Sequence, residues 1–214
     1  TRVDSVLSRR NNVIAHDFPK TWNKENVLIG GSIWPADIAC LRSVLLEALV
    51  ELPELRLILV PHEPTEKHVS EIVEIFSSYP IHLWSRGQED EFAKARVLIV
   101  DEIGILSSLY AKANLAFVGG AFTTGVHNIM EPAAFGLPTF FGPRFRNYST
   151  AIRFVEDKLA YSVRNSEELR LLIMPLLKEP DKAKELGIRA QNLLEQEAGA
   201  AQKCAELIRP VFRT

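Results

Sequence analysis

Glu131 and the residues just ahead of it carry the clearest chemistry in this sequence. Gly119, Gly120 and Gly125 lead into His127-Asn128, and Glu131 stands three residues beyond Asn128. Glycines let a backbone turn tightly and approach a ligand closely. Asn128 and Glu131 have the spacing of a capping box, in which the Asn side chain takes up a free N–H of the first helical turn. Unpaired N–H groups at a helix start, with the helix dipole, favour phosphate. A carboxylate one turn further in cannot attract phosphate, but it accepts hydrogen bonds from sugar hydroxyls. The chemistry implied is a nucleotide held by its phosphate on the helix start and by its ribose on Glu131. The same pattern also occurs in α/β proteins with no ligand there, so spacing alone leaves both readings open.

The elements that must position these residues follow from the apolar pattern. Leu115–Val118 is a short apolar run, the length of a buried strand. Pro132 suits a helix start, Gly136 and Pro138 end that helix, and Thr139–Phe141 resumes the sheet. The rest of the chain repeats this alternation. Strands are expected at Val27–Ile29, Arg56–Val60, Ile81–Leu83, Val97–Val100 and Leu159–Val163. Helices are expected over 1–12, broken by Asn11-Asn12, and then over 36–50, 65–78, from Ile105 to about 113, from Ser149, and over 166–178. Residues 86–96 read as a polar connection. A long last helix opens at Pro180-Asp181, has Gly187 as its weak point, and carries Leu207 and Ile208 in its last turn. Pro210 ends it, and Val211 and Phe212 in the tail would need a partner surface. Strands alternating with helices imply an α/β fold, a Rossmann-like parallel sheet with helices on both faces.

In such a sheet ligands sit beyond the carboxyl ends of the strands. Gly31 and Ser32 are read as a second strand-to-helix turn on that edge, whose backbone N–H groups can hold a phosphate or sugar oxygen; an ordinary tight turn is the alternative. Trp34-Pro35 either walls the pocket or caps the following helix. Asp101 is a ligand-edge residue or a plain helix cap. Arg144, Arg146 and Arg153 form the clearest basic cluster, suited to a carboxylate or to the phosphates of a lipid headgroup, or simply to a solvated surface.

Composition narrows the class. A 214-residue chain that is 47% apolar has enough material for one well-cored domain. The formal charge of −2 gives no bulk attraction to nucleic acid. No apolar run approaches the ~18 residues of a membrane span, and the start has no signal-peptide pattern. Cys40 and Cys204 are far apart, lack metal or redox spacing, and are expected as reduced, buried thiols in a cytosolic protein. The chain begins at Thr1 rather than Met and is expected to be part of something longer.

Taken together, Gly119-Gly120, Gly125, His127-Asn128-x-x-Glu131-Pro132-Ala133-Ala134, Gly136-x-Pro138, Phe141-Gly142-Pro143 and Asn147-Tyr148 resemble the donor-binding half of the 3-deoxy-D-manno-octulosonic acid (Kdo) transferases. Thr1-Arg2-Val3-Asp4-x-Val6 resembles that family's segment just after its interdomain linker. The resemblance implies that residues 1–214 are one donor-binding domain, the C-terminal half of a GT-B glycosyltransferase. It implies an N-terminal acceptor domain, absent from this chain, that supplies the catalytic glutamate. No catalytic residue is then expected here, and the chain alone is expected to transfer nothing. The donor would be CMP-Kdo, the acceptor the lipid A precursor, and the setting the cytoplasmic side of the inner membrane. With the strand-to-helix turn read above, the donor-nucleotide contacts expected are Gly31, Ser32, His62, Glu63, Ile103, Gly104, Ile105, Gly125, His127, Asn128, Ile129, Met130 and Glu131. Sugar or headgroup contacts fall on Arg144, Arg146 and Asn147.

Two positions depart from the family pattern. The family carries an arginine and a histidine between the prolines where this chain has His62-Glu63, and Glu63 cannot replace a guanidinium fork. Ile105 stands where the family usually has a glutamate, which leaves only backbone groups of that loop for the base. No metal or other cofactor is expected: family members need none for donor binding, and the sequence has no Asp-x-Asp motif. His127 is expected to fix the glycine loop by a side-chain hydrogen bond. Two other readings remain, a UDP-sugar-dependent transferase or epimerase on the same fold, and a non-catalytic nucleotide-binding domain.

Overall fold

The computed structural model describes residues 2–12, 18, 22–87, 89–199, 201, 204 and 208. Seven strands appear among them: β1 (Val27–Ile33), β2 (Arg56–Pro61), β3 (Ile81–Leu83), β4 (Val97–Ile99), β5 (Leu115–Val118), β6 (Thr139–Phe141) and β7 (Ala160–Ser162). The helices before β5 are α1 (Arg2–Asn11), α2 (Pro35–Glu51), α3 (Glu66–Ile75), α4 (Glu89–Phe92) and α5 (Leu106–Leu109). Those after it are α6 (Met130–Ala134), α7 (Ser149–Glu156), α8 (Ser166–Lys178) and α9 (Pro180–Gln196).

All strand pairs are parallel, in the order β3-β4-β2-β1-β5-β6-β7. Strand alternation sorts the side chains by face. Leu28, Leu57, Leu59, Val97 and Phe117 join one apolar core with residues of α2, α3 and α8. Val27, Ile29, Ile58, Val60, Leu98 and Ala116 face the opposite way, toward Leu109 and Tyr110. A third cluster packs α1, α6, α7 and α9 around Val118 and Phe141. The topology matters for function. From β1 the chain runs through α2 to β2 on one side, and from β5 through α6 to β6 on the other. The connections therefore diverge between β1 and β5, and this switch point is where open parallel sheets bind ligands.

Several sequence expectations need correction. Gly30, Gly31 and Ser32 do not turn; β1 continues to Ile33, with a register irregularity between Gly31 and Ile33 and Ser32 at φ 51°. A non-glycine residue there is strained, and it marks the end of β1 as a built feature. The helix expected over 65–78 spans Glu66–Ile75. Two short helical segments, Trp84–Arg86 and Glu89–Phe92, occupy the stretch expected as a plain connection. The helix expected to reach about 113 is a short α5 followed by a 3-10 turn, Tyr110–Lys112. Cys40 is buried as expected, but Cys204 is exposed. Gly187 is no weak point: a Cβ there would lie 1.7 Å from the Gly136 carbonyl oxygen, so glycine lets α9 seat on the turn that ends α6. Ile208 is 51% exposed, while Leu207, Pro210, Val211 and Phe212 lie outside the described residues.

Candidate functional site

The site is assembled across the switch point. Backbone closes the gap first: the Gly119 N–H donates to the Gly31 carbonyl at 2.9 Å. A Cβ on Gly119 would lie 2.1 Å from the Ser32 carbonyl oxygen, so only glycine allows β5 to run this close to β1. Asp37, in the first turn of α2, then ties the two sides together. Its Oδ2 accepts the Trp34 N–H at 2.8 Å and the Gly120 N–H at 2.9 Å. Asp37 is fully buried and its Oδ1 has no partner among the described residues. Burial pushes its carboxyl above the ordinary Asp range, and the two backbone N–H bonds only partly oppose this. Sequence reading passed over Asp37 because a first-turn acid looks like an ordinary dipole partner.

Gly31 is required by packing. A Cβ on it would fall 2.4 Å from the Tyr110 hydroxyl. Tyr110 is 1% exposed, and burial first, then the charge of Glu131, raises its pKa.

Three rings form the next layer, two from the ends of β1 and β2 and one from the β5–α6 loop. Trp34 stacks on His62 at a centroid distance of 4.5 Å, and His62 stacks on His127 at 4.4 Å. The Trp34 indole N–H donates to His127 Nε2 at 3.1 Å. An indole N–H can only donate, so His127 is neutral with its proton on Nδ1. Burial, then the neighbouring His62, hold its pKa below the usual His value. The His127 side chain thus bonds Trp34 rather than the glycine loop, which is fixed by backbone bonds: Gly125 N–H to Gly120 O and His127 N–H to Gly119 O. Trp34-Pro35 is a wall of the site and the start of α2 at once.

The helix start differs from a standard capping box. Asn128 Oδ1 accepts the Met130 N–H at 3.2 Å, and Glu131 Oε1 takes the Asn128 Nδ2 rather than its backbone N–H, also at 3.2 Å. Ile129 and Met130 are buried, so only their backbone faces outward. Among the described residues no acceptor meets the N–H groups of Asn128 or Ile129. α6 is only 5 residues long, so its dipole is small and the loop N–H groups are the stronger anion donors of this turn.

The remaining expected residues divide. His62 and Glu63 are exposed at the end of β2, and the Glu63 carbonyl accepts His68 Nδ1–H at 2.9 Å. Ile103 is 84% exposed on the β4–α5 loop, Gly104 sits at φ +97°, and the Ile105 carbonyl accepts the Ser108 N–H and hydroxyl at 3.1 and 2.7 Å. Asp101 is not a helix cap: it accepts the backbone N–H and hydroxyl of Ser85 at 2.9 and 2.5 Å. Asn147 lines a cavity of about 100 Å3 with Arg2, His127, Asn128 and Tyr148. Each arginine of the expected basic cluster has its own neighbour. Arg144 donates to the Thr123 carbonyl, Arg146 lies 6.0 Å from the Phe145 ring centroid, and Arg153 pairs with Glu197 and Asp157. Among the described residues no group of three or more His, Cys, Asp or Glu side chains is gathered as metal ligands. Nor is any described helix long and apolar enough to cross a membrane.

No protein-family model matches the chain. Kdo transferases do. The enzyme from Aquifex aeolicus is 30% identical over 156 residues, and that from Chlamydia trachomatis 31% over 129 residues. These stretches cover 72% and 59% of this chain but 42% and 30% of the relatives, so the chain spans less than half their length. The C-terminal CMP-Kdo binding domain of WaaA from Acinetobacter baumannii superposes with a TM-score of 0.69 at 26% identity, covering 89% of this chain and 98% of that one. The chain is a relative of the Kdo transferases. The matched domain accounts for nearly all of this Kdo-transferase relative, and the fold is that of a GT-B half. WaaG, a glycosyltransferase involved in lipopolysaccharide biosynthesis, shares the fold at a TM-score of 0.52 and 15% identity; 50% of its chain is covered.

Proposed function

We propose that this chain is the donor-binding domain of a Kdo transferase. It holds CMP-Kdo at the β1–β5 switch point while a second domain presents the lipid A precursor at the cytoplasmic face of the inner membrane. The observation that carries this reading is the placement of Asn128 and Glu131 beside the glycine loop at that switch point. The near end-to-end match to a CMP-Kdo binding domain supports it. In this reading Glu131 accepts the ribose hydroxyls, and the free N–H groups of Asn128 and Ile129 meet the phosphate. Those donors also stabilise the phosphate as it leaves with CMP, since fixed N–H dipoles favour charge that develops during transfer. The β4–α5 loop offers Ile103, Gly104 and Ile105 to the base. The base that deprotonates the acceptor hydroxyl comes from the other domain, so the chain alone binds donor and transfers nothing. No metal or other cofactor enters this scheme.

Titration of this chain by calorimetry with CMP, UMP and UDP tests it. Selective CMP binding that Glu131→Ala abolishes is the expected result. Preference for uridine nucleotides would move the chain to a UDP-sugar transferase or epimerase. Absence of binding at millimolar nucleotide would overturn the reading of this chain as a self-sufficient donor domain.

A further inference from the structure

Glu131 is held from a second direction. Arg9 Nη1 on α1 donates to Glu131 Oε1 at 3.0 Å, the same oxygen that accepts Asn128 Nδ2 at 3.2 Å. One carboxylate oxygen is thus doubly engaged, while Oε2 has no hydrogen-bond donor among the described residues. The Glu131 side chain is 15% exposed and that of Arg9 61%. A glutamate side chain has several rotors, and two donors on one oxygen restrict them.

We infer that Arg9 is a positioning residue for the donor: by occupying Oε1 it turns Oε2 toward the vicinal hydroxyls of the ribose. The inference rests on the nucleotide reading given above, and it makes α1 part of the site. The seat of α1 does not depend on Arg9. Val6 is buried against α6 and α9. Arg10 donates to the Ala134 carbonyl at 3.2 Å and to Glu195 at 2.6 Å. Asp4 accepts the N–H groups of Gly199 and Ala201 at 2.6 and 2.8 Å. Replacing Arg9 therefore removes the clamp and leaves the helix docked.

The test compares CMP with 2′,3′-dideoxy-CMP on wild-type chain, Arg9→Ala, Arg9→Lys, Glu131→Ala and the Arg9→Ala/Glu131→Ala double variant. Arg9→Ala should weaken CMP by about three- to five-fold, the scale of a partly exposed ion pair. It should leave dideoxy-CMP unchanged and the melting temperature near wild type. Arg9→Lys should recover part of the loss, since it restores the charge without the fork. The double variant should bind no worse than Glu131→Ala. Equal weakening of both nucleotides by Arg9→Ala would overturn the proposal, because Arg9 would then act on phosphate directly. Tighter CMP binding by Arg9→Ala would also overturn it, showing that the ion pair competes with the ribose. Loss of CMP binding in Glu131→Ala with no change in Arg9→Ala sinks the role of Arg9 alone. If Glu131→Ala is itself unchanged, the nucleotide reading falls with it.

Discussion

The β5–α6 and β4–α5 loops, both proposed to meet the nucleotide, are built on opposite plans. The β5–α6 loop is braced on every side: Asp37 bonds Gly120 from α2, Trp34 bonds His127, and backbone bonds join Gly125 to Gly120 and His127 to Gly119. The β4–α5 loop is fastened at its ends, by Asp101 to Ser85 and by the Ile105 carbonyl to Ser108. Between them Ile103 stands 84% exposed, and a Cβ on Gly104 would meet nothing within 4 Å. Phosphate recognition needs donors aimed in advance, since their value lies in not having to reorganise. A base needs an apolar surface to cover it, and exposed apolar side chains serve that purpose once ligand arrives. In the proposed reading, the side that meets phosphate is braced and the side that meets the base is open.

The largest effect that can break this contrast lies at Asp37. Asp37→Ala removes the acceptor shared by two backbone N–H groups, and should cost about 2–4 kcal/mol in urea unfolding, from two unmet buried donors. Asp37→Asn should stay within about 1 kcal/mol of wild type, because the amide oxygen still accepts both bonds. The Asp37 carboxyl is raised above its ordinary 3.8, so its contribution is fully present below that value and is lost as pH rises through the folded-state pKa. The Asn variant should lack that dependence. A destabilisation of Asp37→Asn as large as that of Asp37→Ala would show that the charge, not the acceptor, braces the loop.

His127 carries the next effect, resting on one neutral hydrogen bond worth about 1 kcal/mol. Its pKa is held below the usual 6.5 by burial, then by His62. The unfolded chain therefore takes up the proton first, and stability present above 6.5 should decline as pH falls from there toward the folded-state value. Urea midpoints between pH 8 and 5 should show that decline in the wild-type chain and a shallower one in His127→Gln. The smallest effect on stability belongs to the open loop. Ile103→Ser should shift unfolding by less than about 0.5 kcal/mol yet weaken CMP by about 1 kcal/mol if the loop covers the base. A stability loss from Ile103→Ser would contradict the picture of a side chain without folded-state partners.

The sequence made the sheet legible wherever a strand was apolar and bounded by polar or turn residues. Ile81–Leu83, Leu115–Val118 and Thr139–Phe141 lie at their expected bounds. β1 came out short because Gly30-Gly31 reads as a turn; neither the close run of β5 at Gly119 nor the Tyr110 hydroxyl beneath Gly31 leaves a local signal. The placement of the glycine loop and of Glu131 at the start of α6 was readable because it is set by local sequence. The Asp37 brace, the ring stack and the Arg9 clamp were not, since each joins residues far apart in sequence. The partners of the arginines were equally hidden: exposed guanidinium groups settle on the nearest carbonyl or carboxylate, as Arg144 and Arg153 do.

Gly187 leaves one more consequence. Its contact is with the backbone of Gly136, which cannot swing aside as a side chain would. Any larger residue at 187 must lever α9 off α6, and α1 is anchored to both through Arg10. Position 187 would therefore act as a mechanical fulcrum: if Glu131 and Arg9 hold the donor as proposed, a change made there should be transmitted along α1 to Arg9 and felt at Glu131 as a misaimed carboxylate.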